Sequence, residues 1–92
     1  MKGNMNLDDL RNKIDDTDSE IIKLLSERME IVKEIGKIKK EQGLKIDQPD
    51  REASILGLRL SKAEEFGLNQ TFVMKLYEVI FEEAKKLQSL IK

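Results

Sequence analysis

A long stripe of apolar residues at helical spacing runs through the first half of the chain. From Leu7 to Ile38 its members recur every three or four positions, as on one side of an α-helix. The pattern predicts one helix from Leu7 to about Gln42, where Gly43 can adopt the left-handed cap and Lys39 falls in the last turn. We call these residues the apolar stripe: Leu7, Leu10, Ile14, Thr17, Ile21, Leu24, Arg28, Ile31, Ile35 and Ile38.

Such a helix is too long for a domain of this size. At a rise of about 1.5 Å per residue it would span roughly 54 Å. A compact chain of 92 residues has a diameter of only about 30 Å. The helix should therefore extend beyond its own fold, and a second chain is needed to cover the apolar stripe.

Two shorter helices are expected after the first. Pro49 suits the first position of a helix that runs to about Glu65. Gly57 inside it indicates either that another part of the chain approaches the backbone closely or that the helix is only moderately stable. Asn69 is a candidate N-cap for a third helix that continues to the C-terminus. No strand pattern is present, so the predicted fold is all-α, with three helices and a very long first one.

Composition restricts the possible functions. Lys and Arg number 17 against 18 Asp and Glu, so no overall charge attracts nucleic acid or an anionic membrane. The lack of Cys and His removes the usual metal ligands and the commonest general base. No apolar run approaches the ~20 residues of a membrane span. We expect a soluble cytoplasmic protein without metal or cofactor, forming a single domain over residues 1–92 with residues 1–6 as a disordered N-terminus.

Arg28 is the strongest candidate functional residue, because it stands inside the apolar stripe. Its neighbours one and two turns away, Leu24, Ile31 and Ile35, are apolar. A guanidinium group is costly to bury there unless an anion meets it. The alternatives are an arginine that sets the register of a helical dimer, or one whose head reaches water.

Two further cations, Arg11 and Lys39, flank the apolar stripe. Arg28 and Lys39 are separated by about 16 Å along the helix, a span across which two long side chains can converge. Arg11 lies about 42 Å from Lys39, so it cannot serve the same site within one chain. In an antiparallel dimer, Arg11 of the partner subunit would fall between Arg28 and Lys39. Ordinary salt bridges between paired helices are the alternative for Arg11 and Lys39.

The other two helices add further candidates. Arg51 and Glu52 place a cation beside a carboxylate in the first turn of the second helix, and Gln88 follows Ala84 by one turn of the third. The simpler interpretations are an ordinary charged first turn and a boundary residue of an amphipathic helix. Inside a pocket, the amide of Gln88 could donate a hydrogen bond without adding charge.

Taken together and in order, these residues resemble the all-helical chorismate mutases over Leu7 to about Ile91. The resemblance rests on Leu10-Arg11-xx-Ile14-Asp15, Leu24-Leu25-xx-Arg28, Ile35-Gly36-xx-Lys39, Arg51-Glu52 and Gln88. It implies an enzyme that converts chorismate to prephenate in an intertwined dimer whose long first helices pair. It also implies that one arginine crosses into the neighbour's site.

The resemblance further implies a role for each matched residue. Arg11 of the partner subunit and Arg28 would bind the substrate carboxylates, with Arg51 assisting. Lys39 and Gln88 would donate to the ether oxygen as its bond breaks. The implied reaction is unimolecular and its catalysis is electrostatic, so the absence of Cys and His is no obstacle to it.

On the other side of the implied site, Glu52 would accept a hydrogen bond from the ring hydroxyl. The chain departs from the family pattern at two positions that would line the substrate. Gln48, with Asp47 adjacent, replaces an acid found in many relatives, and Ala84 replaces a residue that often carries a hydroxyl. Both changes are expected to alter affinity modestly or to affect specificity.

Two other functions compete with a chorismate mutase. An isochorismate pyruvate-lyase of the same helical family would use a similar set of cations. A non-catalytic helical dimerisation or regulatory module is the alternative from a different class. The full ordered set argues against this module, because dimerisation alone requires neither Gln88 nor the Arg51-Glu52 pair.

Overall fold

The computed structural model describes residues 5–91, and over that range the chain forms three α-helices and no strand. They are α1 (Leu7–Gln42), α2 (Pro49–Glu65) and α3 (Gln70–Ser89). The prediction of an all-α fold with a very long first helix is confirmed. Residues 1–4 of the predicted disordered N-terminus lie outside the described residues. None of the three helices is long and apolar enough to cross a membrane.

Local side-chain and backbone caps define both ends of α1. At its start, the Oδ1 atom of Asn6 accepts from the backbone N–H of Asp9 at 2.8 Å, as N-cap residues do. At its end, Gly43 has a φ of 68°, which a residue without a Cβ adopts easily. The N–H of Leu44 then donates to the carbonyl of Lys39 at 2.8 Å. This cap turns the chain back beside the last turn of the helix.

The connection between α2 and α3 is built in the same way. Gly67 has a φ of 71°, and the N–H of Leu68 donates to the carbonyl of Ala63 at 2.8 Å. Asn69 is the N-cap of α3, because its side chain accepts from the N–H of Phe72 at 2.8 Å. The predicted helix start at Asn69 is confirmed, and the tight turn makes α2 and α3 a helical hairpin.

The chain separates into two compact units whose boundary falls inside α1. The first unit ends at Ile31 and the second begins at Val32. In the first unit, none of the residues from Met5 onwards is buried. Apart from the half-buried Arg28, its part of the apolar stripe is exposed, with 59% of Ile14 and 59% of Leu24 accessible to solvent. The first unit is therefore a helix without a hydrophobic core of its own.

The second unit contains the buried core. Most of the core residues lie on one face of α3: Val73, Ile80, Phe81 and Ala84. The rings of Tyr77 and Phe81 also meet, with centroids 5.9 Å apart. The buried apolar residues of the described chain are Val32, Ala63, Val73, Ile80, Phe81 and Ala84.

The helical glycines Gly36 and Gly57 have different structural surroundings. At Gly36 a Cβ atom would lie 2.5 Å from Cδ1 of Ile91 and 3.0 Å from Cγ of Gln88. A side chain at this position would require Ile91 and Gln88 to shift, so the glycine favours the close approach of α3 to α1. At Gly57 nothing among residues 5–91 lies within 4 Å of the corresponding position. The backbone is therefore not approached there, and Gly57 only weakens α2.

An open apolar cavity of about 250 Å³ lies at the turn end of the α2–α3 hairpin. None of the candidate site residues lines this cavity. Its walls are formed by Arg59, Lys62, Ala63, Phe66, Leu68, Phe72, Val73, Leu76 and Tyr77.

Candidate functional site

Lys39 is held at the end of α1 by two neutral acceptors. Its Nζ atom donates to the carbonyl of Ile46 at 2.9 Å and to Oε1 of Gln88 at 2.9 Å. The Gly43 cap makes the first contact possible, because it returns residues 44–46 to the side of the helix. An ammonium group has three donors, so one remains available. Within residues 5–91, Lys39 forms no ion pair.

Gln88 is the only polar residue buried in the described chain, with 8% of its surface exposed. This burial argues against its interpretation as a boundary residue. Its Oε1 atom is engaged by Lys39, whereas its Nε2 atom has no partner among residues 5–91. No fully buried polar side-chain atom lacks a partner there, so Nε2 retains accessible surface. The amide therefore presents a donor next to the unused donor of Lys39.

The close packing at Gly36 brings these two side chains together. Gly36 lies one turn before Lys39 on α1, and a Cβ atom added there would lie 3.0 Å from Cγ and 3.3 Å from Cβ of Gln88. A larger residue would separate α1 from α3 at the level of the hydrogen bond. The glycine thus positions the site, although it contributes no chemical group.

Glu52 lies in the first turn of α2, where its N–H donates to the carbonyl of Gln48 at 3.0 Å. Its carboxylate contacts Lys85 of α3, with Nζ 3.3 Å from Oε2 and 3.5 Å from Oε1. The same ammonium lies 3.6 Å from Oδ1 of Asp47. We call Lys85, Glu52 and Asp47 the Lys85 cluster. The hydrogen bond to Glu52 and the charges of both carboxylates raise the pKa of Lys85 above its ordinary value of 10.5, against a smaller opposing effect of desolvation.

The remaining candidates occupy different environments. Gln48 is half-buried at the N-cap position of α2, with its side chain outside the cap hydrogen bonds. Arg51 is exposed one position before Glu52, and Ala84 is buried on α3. Arg28 is half-buried and Arg11 is exposed, and both belong to the first unit. The substrate-binding roles of these residues stay predictions.

Lys85 was missed by sequence reasoning, as was the carbonyl of Ile46. A local signal for Lys85 exists, since it follows Ala84 and precedes Gln88 by three positions, which places it near them on α3. Its partners depend on how α2 packs against α3, which periodicity does not determine. Residues 5–91 contain no group of three or more acidic, His or Cys residues that could hold a metal ion.

Comparison with known proteins gives matches over almost the whole chain. A sequence model of the family described as chorismate mutase type II matches residues 10–89. A chorismate mutase from Methanocaldococcus jannaschii is 32% identical over 82 residues, which cover 89% of this chain and 83% of that protein. A solved structure of a conserved hypothetical protein from Pyrococcus furiosus is 40% identical with a TM-score of 0.70, covering 94% of this chain and 99% of that one.

Other relatives differ in length or in activity. A T-protein from Haemophilus influenzae is 40% identical over 67 residues, or 73% of this chain, but the chain spans only 18% of that protein. An isochorismate pyruvate lyase from Pseudomonas aeruginosa is 38% identical over 74 residues, which cover 80% of this chain and 72% of that protein. The family match includes all of α2 and α3 and nearly all of α1. The chain belongs to the type II chorismate mutase family.

Proposed function

We propose that the protein is a chorismate mutase that rearranges chorismate to prephenate. In this reaction an ether C–O bond breaks and a C–C bond forms within one molecule, so the protein supplies no nucleophile and transfers no group. The observation that carries the proposal is the arrangement of Lys39. Its ammonium group is held by two neutral oxygens, keeps one donor unused and forms no ion pair within residues 5–91.

Lys39 and Gln88 would act at the ether oxygen. Negative charge grows on that oxygen as the C–O bond lengthens, and preorganised donors stabilise it more strongly in the transition state than in the ground state. Nζ of Lys39 and Nε2 of Gln88 are adjacent donors, because the first is bonded to the amide that carries the second. Their positions are fixed before substrate binds, so little reorganisation is needed during the reaction.

Glu52, Gln48 and Ala84 are proposed to contact the ring side of the substrate. The ionised carboxylate of Glu52 would accept from the ring hydroxyl, which orients the molecule in its reactive chair. Gln48 adds a neutral amide at the N-terminus of α2, and Ala84 adds a methyl group on α3. These contacts would position the substrate without adding negative charge beyond that of Glu52.

Three arginines are proposed to bind the two substrate carboxylates: Arg28, Arg51 and Arg11 of the partner subunit. A guanidinium group can hold a carboxylate through two parallel hydrogen bonds, which lysine cannot do. The assignment comes from the family pattern. It requires a homodimer that covers the apolar stripe, and the high exposure of the stripe in the single chain supports such a dimer.

In that dimer we propose that residues 1–92 work as one domain. The proposed setting is the cytoplasm, where prephenate would serve phenylalanine and tyrosine biosynthesis. Neither nucleic acid nor a membrane has a part in this proposal, since the formal net charge is only −1.

Isochorismate pyruvate lyase activity is the competing proposal. Both substrates are dianions that lose an ether bond, so the same cations could serve either reaction. One relative of similar identity carries that name. The chorismate mutase from Methanocaldococcus jannaschii is matched over more of its length, 83% against 72%. We therefore place the mutase first.

The deciding assay follows chorismate and isochorismate separately, with prephenate and pyruvate measured as products. The wild type should convert chorismate to prephenate at pH 6, 7 and 8, because the amide of Gln88 is neutral and donates a hydrogen bond without being protonated. Arg28→Ala should lose about 100-fold or more in kcat/KM, whereas Lys23→Ala, an exposed change in the same unit, should have no effect. Pyruvate from isochorismate alone would reassign the activity. No turnover of either substrate would leave only the non-catalytic module.

A further inference from the structure

We propose that Lys85 is a positioning residue that holds two residues of the proposed site, Glu52 and Lys39, in place. This inference rests on the proposed function. Lys85 bridges two segments that carry site residues. One is the first turn of α2, through Glu52, and the other is the connection between α1 and α2, through Asp47. The family pattern on which the site residues were predicted does not include it.

The first contact fixes the carboxylate of Glu52. Both of its oxygens lie within 3.5 Å of Nζ of Lys85, so the side chain is restricted in rotation as well as neutralised. The pair is only partly exposed, with 35% of the Lys85 side chain and 28% of the Glu52 side chain accessible. It is therefore less screened by water than an ordinary surface pair. A fixed carboxylate can accept from the ring hydroxyl without losing further rotational freedom.

The second contact acts on Lys39 through the backbone. Asp47 lies 3.6 Å from Lys85, and its chain neighbour Ile46 provides the carbonyl that accepts from Lys39 at 2.9 Å. Anchoring Asp47 to α3 therefore restrains the peptide that orients the ammonium group. The direction of the unused donor of Lys39 depends on where that carbonyl points.

The charge of Lys85 also matters for a dianionic substrate. Asp47 and Glu52 together place two negative charges beside the proposed site, and Lys85 is the cation that contacts both. Without it, their repulsion of the substrate carboxylates would increase. Since its ammonium group is engaged by these two acids, Lys85 would act through them and not by touching the substrate.

The test compares wild type with Lys85→Met, Lys85→Arg and Lys86→Met in steady-state kinetics with chorismate. Lys86 is the exposed neighbour on α3 and serves as the matched control. We expect Lys85→Met to lower kcat/KM about 10-fold, through a lower kcat and a higher KM. Lys85→Arg keeps the charge and should recover to within about 3-fold of wild type. Lys86→Met should leave both constants unchanged.

A second variant tests the connection to Lys39 separately and protects against loss of fold. The side chain of Asp47 is 66% exposed, so Asp47→Asn should leave the circular dichroism spectrum and thermal midpoint unchanged. It should lower kcat by about 3-fold if the anchor orients Lys39. A merely structural Lys85 would lower the thermal midpoint or the active fraction but leave KM unchanged.

The outcomes separate the two proposals. If wild type turns over chorismate while Lys85→Met matches Lys86→Met in both kcat and KM, the role of Lys85 is refuted and the proposed function stands. An unchanged kcat in folded Asp47→Asn refutes the step through Ile46. If the wild type does not convert chorismate, the proposed function fails, and the role of Lys85 in that reaction fails with it.

Discussion

Among the described residues, only the second unit of this chain buries apolar side chains. In residues 32–91 the apolar face of α3 is buried, with Val73 5% and Ile80 7% exposed. In the described part of the first unit the apolar stripe is open, with Ile14 and Leu24 each 59% exposed. The second unit is thus stabilised by contacts within a single chain. The first unit has helical periodicity but no surface within itself to pack against, so we expect it to require a partner subunit.

The polar residues show the same difference. In the second unit, Lys39 and Lys85 already form hydrogen bonds and ion pairs that set their positions. In the first unit, Arg11 is an exposed cation beside an exposed apolar stripe. The groups proposed to stabilise charge on the ether oxygen would then belong to one chain. Binding of the substrate carboxylates would instead require the dimer to form.

The largest expected effect on activity comes from replacing Lys39, whose position in the proposed site is already set by hydrogen bonds. Lys39→Met removes the ammonium group and also releases Oε1 of Gln88, so both proposed donors to the ether oxygen are disturbed. We expect kcat to fall about 1,000-fold or more, since the loss of a single preorganised donor costs roughly 100- to 1,000-fold. The change is measured by stopped-flow or steady-state kinetics with chorismate.

Lys40→Met is the matched control for this variant, because Lys40 is the exposed neighbour in the same helical turn. It should retain wild-type kcat. If folded Lys39→Met keeps more than about a tenth of wild-type kcat, stabilisation of the ether oxygen by Lys39 is wrong.

The second largest expected effect tests whether the first unit of one chain completes the proposed site of the partner subunit. Arg11→Ala and Arg28→Ala proteins should each lose roughly 100-fold in kcat/KM, because each lacks one carboxylate ligand. When the two are unfolded together and refolded, half of the randomly assorted dimers are mixed and carry one intact site each. Activity should therefore return to about a quarter of wild type.

The control for the mixing experiment is each single variant refolded alone, which should stay inactive. If the mixture is no more active than its components, then Arg11 acts within its own chain or only supports the structure. That result would remove the proposed division of the site between subunits.

A smaller effect is expected from a single change in the apolar stripe. Leu24→Gln replaces an apolar side chain that is 59% exposed in the single chain. If a partner covers it, the change should weaken a symmetric dimer by about 2 kcal/mol in total, or roughly 30-fold in Kd. Sedimentation equilibrium measures the dissociation, and the thermal midpoint should become more dependent on protein concentration.

Lys23→Gln introduces the same residue at the neighbouring exposed position and should leave the dimer unchanged. Equal behaviour of the two variants would show that the stripe is not an interface at Leu24.

How much was predictable from sequence depends on how local each interaction is. The helix ends at Gly43 and Asn69 were predicted because caps depend on a few adjacent residues. The Lys39–Gln88 hydrogen bond joins residues 49 positions apart, and only the family resemblance brought them together. The contact of Lys85 with Glu52 was missed, because it depends on the packing of α2 against α3 and no local pattern encodes it.

The two helical glycines give the smallest effect and the most direct test of packing within the second unit. Alanine is favoured over glycine in a helix by about 1 kcal/mol. The new methyl group of Gly57→Ala meets no atom of residues 5–91 within 4 Å, so it should stabilise the protein by roughly 0.5–1 kcal/mol and raise Tm by about 3–6 °C. Gly36→Ala would place its Cβ atom 2.5 Å from Ile91 and 3.0 Å from Gln88. Overpacking of about 1–3 kcal/mol should outweigh the same helical gain, so Tm should fall.

The kcat values of these two variants provide a second test that is independent of Tm. Displacement of Gln88 by the new methyl group at Gly36 should also lower kcat, because the hydrogen bond from Lys39 would no longer place Nε2 beside the unused ammonium donor. Gly57→Ala should leave kcat unchanged. If Gly36→Ala raises Tm as Gly57→Ala does and keeps its kcat, then Ile91 and Gln88 can move aside without cost. In that case the close approach of α3 to α1 does not hold the proposed catalytic pair, Lys39 and Gln88, in place, and the arrangement would have to be maintained by the hydrogen bonds of Lys39 alone.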